Sequence, residues 1–327
     1  MENNKKFKFI FFAVLIVAIY FLLKDSLLDI INEITKISLS GVLIITLLSI
    51  SCNLIEGINI SLLSRIFNQD FKIKSGIGYS FYFNFYKIVT FGSGSYVASV
   101  YYLEKKDLSS SEGMGVSILN YLFYKISIMV TTSMCIIFNY NFIDSNYSDY
   151  IFIIKLSYIV TIIIVTLLLF ICISKNFHKL LLFILSKLKD KLKCKEVIEF
   201  LYDMVFNLRN SSKLLLKNKT IIVSEILLNI IKLLTLYIIS YISIKEIHIS
   251  MNILDVISIT SLTTLLAGII PTPGGVASIE FVYVLMFSIM INPVSATSAM
   301  LIYRFASFIM PFFIGGIYSI LKLKNEK

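Results

Sequence analysis

The sequence predicts an all-α polytopic membrane protein, with about six spanning helices and two re-entrant helical hairpins. Composition is the first observation behind this prediction. Of the 327 residues, 57% are hydrophobic and 15% are charged, and the mean hydropathy is +0.85. Soluble domains carry about 25% charged residues, and disordered chains combine low hydrophobicity with high charge. The composition therefore excludes both a soluble globular protein and a disordered one.

Apolar runs of membrane-spanning length are the second observation. A transmembrane helix needs about 20 mostly apolar residues. Such runs occupy the segments 7–23, 40–63, 113–139, 150–174, 219–244 and 294–320. The first run follows three lysines, as in a signal sequence, but no small-residue cleavage site comes after it. We therefore expect an uncleaved first spanning helix.

Two further apolar stretches are interrupted, and they are the third observation. Stretch 75–103 contains Phe-Gly-Ser-Gly-Ser at 91–95, and stretch 254–291 contains Pro-Thr-Pro-Gly-Gly at 271–275. Proline lacks a backbone donor and glycine weakens a helix, so both helices should stop there. Non-helical backbone at membrane depth is tolerated only where protein or a water-filled cavity satisfies it. The two breaks therefore predict a substrate site.

The distribution of charge decides whether the interrupted stretches cross the membrane. Segment 175–219 carries eleven basic and four acidic residues, so it should be cytoplasmic, whereas loop 140–149 has only acidic charges and should be outside. Both segments lie on their expected faces only if 75–103 dips into the membrane and returns. The same count of membrane crossings places the C-terminal lysines inside only if 254–291 is also re-entrant.

This count of crossings gives a complete topology. It predicts a single transmembrane domain over 1–327 in the cytoplasmic membrane of the cell, with both termini cytoplasmic. The linker 175–217 is basic and partly amphipathic, so it should lie against the anionic membrane surface. The order helix, hairpin, helix occurs at 40–139 and recurs at 219–320 in the opposite orientation. That pattern is typical of the inverted repeats of transporters.

Seven ionisable side chains lie within apolar segments, where each costs at least ~2.5–3.5 kcal/mol. They are Glu56, Lys87, Lys125, Glu225, Lys232, Glu280 and Arg304. Two interpretations stay open, namely ion pairs that hold helices together and a polar cavity. The set has one surplus positive charge, which suits an anionic phosphate headgroup. Glu225 is close to the cytoplasmic end of its span, and we expect it to snorkel there.

The sequence contains no motif for hydrolysis, nucleotide binding or metal binding. It has no GxSxG, HExxH or P-loop pattern, and its four cysteines are not arranged as CxxC pairs. We therefore predict no catalytic residue, no metal and no cofactor. The net charge of +10 is assigned to membrane topology rather than to nucleic acid, and an oligomer is left open.

The second break and its flanks carry a resemblance. Ile270-Pro-Thr-Pro-Gly-Gly-Val-Ala-Ser-Ile-Glu280 resembles the P-x-P-G-G-x-G-x-x-E signature of the lysylphosphatidylglycerol synthase transmembrane-region family of flippase-like membrane proteins. The stretch 299–304, which ends in an arginine, and the first break, which follows Tyr-Phe-Asn at 82–84, are similar to other motifs of that family. The sequence departs from the pattern in lacking the proline of the first motif and in having Ala277 or Ser278 where a glycine is usual.

The resemblance implies that the protein handles a phospholipid or polyprenyl lipid within the bilayer. The first hypothesis is a lipid translocase that acts on an anionic or aminoacylated phospholipid or on a polyprenyl lipid. Its expected binding residues are Glu56, Asn84, Lys87, Gly92, Gly94, Lys125, Pro271, Pro273, Gly274, Gly275, Glu280 and Arg304. The basic residues would hold the phosphate, and the two glutamates would hold a cationic headgroup or balance the bases.

Two alternatives are kept. In the first, the chain is the membrane part of a phosphatidylglycerol lysyltransferase system with a role in lipid modification and resistance to cationic peptide antibiotics. Large members of the family carry a cytoplasmic aminoacyltransferase domain, and this sequence shows none, so a separate lipid-modifying enzyme would be the partner and the chain alone would not be an enzyme. The second alternative is a structural membrane protein whose buried charges hold its helices together.

Overall fold

The computed structural model describes residues 32–173, except 91 and 93, and residues 218–325, except 271 and 273–276. All regular secondary structure within these residues is helical. Several predicted features lie outside the described residues: the first span 7–23, the linker 175–217, and the site candidates Pro271, Pro273, Gly274 and Gly275.

Eleven α-helices are named in the described part of the chain. They are α1 (Leu39–Ser64), α2 (Ile73–Val89), α3 (Ser95–Glu104), α4 (Ser110–Phe138), α5 (Tyr140–Tyr147), α6 (Ile151–Ile173), α7 (Lys219–Glu246), α8 (Ile253–Ala267), α9 (Ser278–Phe287), α10 (Pro293–Arg304) and α11 (Met310–Asn325). A 3₁₀ turn, Ser148–Tyr150, joins α5 to α6, and a π-helical turn, Phe305–Ile309, joins α10 to α11.

Five helical stretches of the described chain are long and apolar enough to cross a membrane. They are Leu39–Ser64, Ser110–Phe138, Tyr140–Phe170, Lys219–Glu246 and Pro293–Leu321. Each overlaps one of the predicted spans. The largest difference is at 150–174, where α5 and the 3₁₀ turn extend the helical stretch back to Tyr140. The protein is a polytopic, all-α, multi-pass membrane protein.

Polar residues at the ends of apolar runs set where several helices begin. Ser109 and Glu112 form a reciprocal capping box at the start of α4. Asn252 caps α8 through its side-chain oxygen, and Asn292 caps α10, whose first residue is Pro293. These caps satisfy backbone donors that the apolar surroundings would otherwise leave without partners.

The interrupted stretch 75–103 forms two helices that run antiparallel and pack against each other. The ring of Tyr79 on α2 is 6.1 Å from that of Tyr102 on α3, and Phe83 is 5.8 Å from Tyr96. The Tyr102 hydroxyl donates to the carbonyl of Ser75 at 3.0 Å. The start of α2 and the end of α3 therefore lie side by side, and the stretch is a helical hairpin. Its re-entry into a membrane stays a prediction.

The break in this hairpin depends on glycine and on one side-chain cap. Gly92 has a φ of 81°, which is a left-handed conformation that glycine adopts without strain. The amide of Gly94 donates to the hydroxyl of Thr90 at 3.0 Å, so the threonine closes the turn. The predicted interruption at 91–95 therefore corresponds to the turn between α2 and α3.

The second interrupted stretch gives α8 and α9, which also contact each other. Asn139 donates to the Asp255 carboxylate at 2.8 Å, and the Tyr147 hydroxyl donates to the Met286 carbonyl at 3.0 Å. The start of α8 and the end of α9 therefore meet the same segment around α5. Ala277 precedes α9 with a φ of 73°, a conformation that favours glycine and explains why the related signature prefers one in this region.

The two long helices α1 and α7 form an antiparallel pair at the centre of the protein. The Glu246 carboxylate at the end of α7 accepts the Ser38 amide at the start of α1, 2.8 Å away, and Glu56 meets Lys232 midway. Helix α4 packs on α8 of the second hairpin, and α11 packs on α2 of the first. Each of these two helices therefore contacts the hairpin that it does not directly follow in the chain.

Candidate functional site

A cavity of about 830 Å³ lies between α1, α2, α4 and α7, and it reaches both helix breaks. Its polar lining consists mainly of amides, hydroxyls and charged groups, namely Asn53, Glu56, Tyr79, Asn84, Lys87, Ser95, Tyr96, Asn120, Tyr121, Tyr124 and Lys232. From the first break, Gly92 lines the cavity. From the second break and the residues just before it, Gly268, Ile270 and Thr272 line the cavity. The two interrupted stretches therefore meet at one site.

Glu56 is held in place by two partners. Its Oε2 atom lies 2.5 Å from Nζ of Lys232 on α7, and its Oε1 atom accepts a hydrogen bond from Asn120 on α4 at 2.8 Å. The Lys232 ammonium also lies 4.5 Å from the centre of the Tyr124 ring, over its face. Both oxygens of the carboxylate are thus occupied, and the pair joins three helices at the cavity wall.

Asn84 and Lys87 lie one helical turn apart on α2 and both line the cavity. The Asn84 side-chain amide donates to Asn53 Oδ1 at 2.7 Å and to the Ser80 carbonyl at 3.0 Å. These two bonds fix the position of Asn84. Lys87, in contrast, makes no hydrogen bond or ion pair with any described residue.

The lining residues in the described chain carry a net charge of +1. Three of them are charged at neutral pH, Glu56, Lys87 and Lys232. The glutamate is already neutralised by Lys232, so Lys87 provides the uncompensated charge. Its partly buried ammonium lies in a wall of tyrosines, amides and hydroxyls, where water is restricted. Such a group attracts an anion.

Two of the predicted phosphate-binding residues have other partners. The Lys125 ammonium donates to the carbonyl of Gly268 at 2.9 Å, at the end of α8. Arg304 Nη2 lies 2.7 Å from Glu280 Oε1, and the guanidinium lies 4.1 Å from the centre of the Phe308 ring. Neither residue lines the cavity. Both bind the second hairpin, Lys125 at its tip and Arg304 at the start of its second arm.

Glu280 and Gly94 complete the predicted set within the described residues. The second carboxylate oxygen of Glu280, Oε2, is buried and has no hydrogen-bond partner in the part of the chain that the structure describes. Gly94 forms part of the turn between α2 and α3, and the described lining of the cavity does not include it. Among the described residues, no group of three or more histidine, cysteine or acidic side chains is placed to hold a metal ion.

Sequence reasoning missed most of the wall that α4 contributes. Ser117, Asn120, Tyr121 and Tyr124 line the cavity from this helix. Their spacing of three, one and three residues places them on one helical face, so a polar stripe in an otherwise apolar run was an available signal. Around the first break, Tyr79, Ser95 and Tyr96 also line the cavity.

Comparison with known proteins supports one family. The family model described as Lysylphosphatidylglycerol synthase TM region matches residues 8–315, which is nearly the whole chain. The search of curated protein sequences found no match to this chain. The match includes both interrupted stretches and all the residues that line the cavity in the described chain. The chain belongs to the family of the lysylphosphatidylglycerol synthase transmembrane region.

Proposed function

We propose that this protein moves a phospholipid with an anionic phosphate headgroup from one leaflet of the cytoplasmic membrane to the other. The headgroup occupies the cavity, and the acyl chains stay in the surrounding lipid. The observation that carries the proposal is Lys87, an ammonium on the cavity wall without an acidic partner among the described residues. A phosphate oxygen would supply the missing acceptor through a charge-assisted hydrogen bond.

A lysine ammonium within a membrane costs at least ~2.5–3.5 kcal/mol when nothing compensates it. Lys232, on the same cavity wall, avoids this cost through Glu56, and Arg304, outside the cavity, avoids it through Glu280. A charge that is retained without such compensation is typical of a residue that meets its partner in the substrate.

The dimensions and chemistry of the cavity fit a lipid headgroup. Ligand sites commonly enclose ~300–1,000 Å³, and the cavity volume of about 830 Å³ lies within this range. Tyrosine and amide side chains on its wall offer hydrogen bonds to glycerol or sugar hydroxyls. Gly92 from the first break and Thr272 from the second line it, and helix breaks beside a substrate site are typical of transporters.

A second candidate follows from the family and from one atom. Glu280 Oε2 is buried without a hydrogen-bond partner among the described residues. It would accept a hydrogen bond from the ammonium of an aminoacylated headgroup, such as that of lysylphosphatidylglycerol. In this case the chain serves a lysyltransferase system together with a separate enzyme. Leaflet-resolved lipid analysis of a deletion strain separates the two: complete loss of lysylphosphatidylglycerol indicates the synthase system, and retention in the inner leaflet indicates translocation.

The direct test measures translocation in proteoliposomes. Fluorescent phosphatidylglycerol is incorporated, and an impermeant reductant reports how fast the label reaches the outer leaflet. Loss of one charged hydrogen bond is worth about 1.5–3 kcal/mol, so Lys87→Gln should slow translocation by about tenfold or more. Lys72→Gln, an exposed lysine outside the cavity, is the matched control and should leave the rate unchanged. A wild-type rate in Lys87→Gln contradicts the assignment.

A further inference from the structure

Two polar stripes face each other along α1 and α7 and continue beyond the cavity. On α7 the residues Glu225, Asn229 and Lys232 follow the spacing four and three, and on α1 the residues Cys52, Glu56 and Asn59 follow the same spacing. This spacing places each set on one helical face. Because Cys52 and Glu56 both contact Lys232 and the helices are antiparallel, Asn59 lies in register with Glu225.

Glu225 is the unexpected member of these stripes. The expectation that it snorkels to the interface is wrong, since its exposure is 0%. Both of its carboxylate oxygens are buried without a hydrogen-bond partner among the described residues, and so are both polar side-chain atoms of Asn59, which is also 0% exposed. Asn229 donates to the Glu225 backbone carbonyl at 2.9 Å, but its own side-chain oxygen has no partner.

An ionised carboxylate is the wrong chemical form for this environment. A buried charge needs an opposite charge or several hydrogen bonds, and a carboxyl group without them becomes neutral by holding a proton. The nearest base, Lys232, is already bound to Glu56. The Glu56 carboxylate also acts on Glu225 with the same sign of charge, which disfavours a second negative charge.

The other titratable groups around the stripe do not change this balance. Helix α1 contributes Glu56 and Cys52, and α7 itself contributes Lys232. Helix α4 contributes Tyr124, which lies under Lys232, and α6 contributes Cys172, in the apolar cluster that includes Ile222 and Ile226 of α7. Within the described residues, Lys232 is the cation among these groups.

We propose that Glu225 is a proton-binding site whose occupancy is coupled to the Glu56–Lys232 pair on the cavity wall. Uptake forms one O–H bond on the carboxylate with a proton taken from water, and release returns that proton to water. Glu225 lies six residues from the start of α7, about 9 Å along the helix axis, so its route to water is short. Its role in lipid translocation rests on the function proposed above.

Coupling to the cavity follows from charge. When Glu225 releases its proton, the new negative charge attracts Lys232 and repels Glu56, the two members of the ion pair. The pair weakens, and the cavity wall that it forms with Asn120 and Tyr124 changes. A proton gradient can therefore bias the site between two arrangements through this single carboxyl group. A hard metal cation fits less well. Glu225 is the one carboxylate of the two stripes that is not already paired, and such ions take about six oxygen ligands.

Infrared absorption of the full-length protein in detergent tests the site itself. The C=O stretch of a protonated carboxylic acid is separate from the amide and carboxylate bands. At neutral pH the wild type should show this band, and alkaline titration should remove it. Glu225→Gln should lose the band, whereas Asp144→Asn, at an exposed acid, should keep it. An unchanged band in Glu225→Gln overturns the proposal, and the wild-type titration remains decisive even if that variant folds poorly.

A second measurement distinguishes a proton from sodium. If the wild type lacks the band, and sodium but not choline raises its unfolding temperature only while Glu225 is present, then the carboxyl group holds a metal cation and the proposal fails. The matching transport assay compares rates between pH 6 and pH 8. We expect Glu225→Gln to flatten the pH dependence of the rate. If wild type moves no lipid, the function proposed above fails while the infrared result still decides the proton site.

Discussion

At the scale of single residues, the buried charges separate into pairs and exceptions. Glu56 has Lys232 and Glu280 has Arg304, so four of the seven form two ion pairs. Lys125 binds a backbone carbonyl. Lys87 and Glu225 remain, the first on the cavity wall and the second in the stripe between α1 and α7. The interpretation as internal ion pairs therefore fits four of the seven residues, and two of these, Glu56 and Lys232, also line the cavity together with Lys87.

The Glu56–Lys232 pair gives a prediction about stability. Its side chains are 12% and 19% exposed for the lysine and the glutamate respectively. Removal of one partner of a buried pair costs about 3–5 kcal/mol, because an uncompensated charge stays behind. We expect Glu56→Gln and Lys232→Met each to lower the free energy of unfolding by about that amount, measured by denaturant unfolding in detergent.

The double variant Glu56→Gln/Lys232→Met is the control for this prediction. It removes both charges, so it should recover much of the stability that either single variant loses. A loss in the double variant equal to the sum of the two single losses would show that the pair does not interact, and would remove the basis for coupling it to Glu225.

At the scale of helices, close backbone contacts decide at which glycines an added Cβ atom would disturb the packing. Gly315 and Gly316 are neighbours on α11, which packs on α2. A Cβ atom on Gly315 would collide with the Phe81 carbonyl oxygen, which is backbone and cannot move aside easily. A Cβ on Gly316 would approach only the Phe85 ring, at 3.3 Å. The sequence Gly-Gly does not show this difference.

The neighbouring glycines give a matched pair of substitutions. Gly315→Ala should destabilise the protein by about 1–3 kcal/mol, because the backbone of α2 must shift. Gly316→Ala should be close to neutral, since the gain of up to about 1 kcal/mol from replacing a helical glycine offsets the contact. Thermal unfolding in detergent measures both, and an equal loss in the two variants would contradict the packing argument.

The π-helical turn between α10 and α11 is the second feature at the scale of helices. Arg304 is followed by the π-helical turn Phe305–Ile309, a rare form that is frequent at functional sites. The Ser49 hydroxyl of α1 donates to the Ala306 carbonyl in this turn at 2.5 Å. The turn therefore positions Arg304 on the second hairpin while Ala306, Ser307 and the following Pro311 line the cavity.

At the scale of the whole molecule, the hairpins decide the topology. Tyr102 contacts Ser75 across the open end of the first hairpin, so its two ends lie on one side of the protein. Both ends of the second hairpin meet the region of α5. A chain that crossed the membrane once at each interrupted stretch would not bring these ends together.

Cysteine accessibility tests the membrane topology. In a chain whose four native cysteines are replaced, Lys74→Cys and Lys105→Cys should be labelled from the same face, and Asp144→Cys from the opposite face. All three native side chains are exposed. The expectation follows from the returning hairpin and from loop charge. Labelling of positions 74 and 105 from opposite faces would show that 75–103 crosses the membrane once.

Much of the fold was accessible from the sequence because a membrane imposes simple rules. Spans must be apolar over about 20 residues, and glycine or proline runs interrupt them. The predicted segments 40–63, 113–139, 219–244 and 294–320 therefore coincide closely with helices. The caps at Ser109 and Asn292 are equally local, since each depends on residues within one turn.

The site was less accessible because it is assembled from distant segments. Glu56 and Lys232 are 176 positions apart, and Lys125 and Gly268 are 143 apart, so no local pattern could pair them. Glu225 lies near a helix end, where a charged side chain normally reaches the interface. Packing of α1 and α4 against α7 buries it instead.

The sequence by itself determined a membrane protein with interrupted helices, a family and a set of costly buried charges, because composition and spacing are properties of the chain alone. Only the tertiary structure decided which charges are compensated, since an ion pair exists where two helices bring its atoms within about 4 Å. That contact neutralises Glu56 with Lys232 and Glu280 with Arg304. Lys87 and Glu225 remain without an ion-pair partner among the described residues, and the proposals of a bound ligand and of a bound proton rest on these two residues.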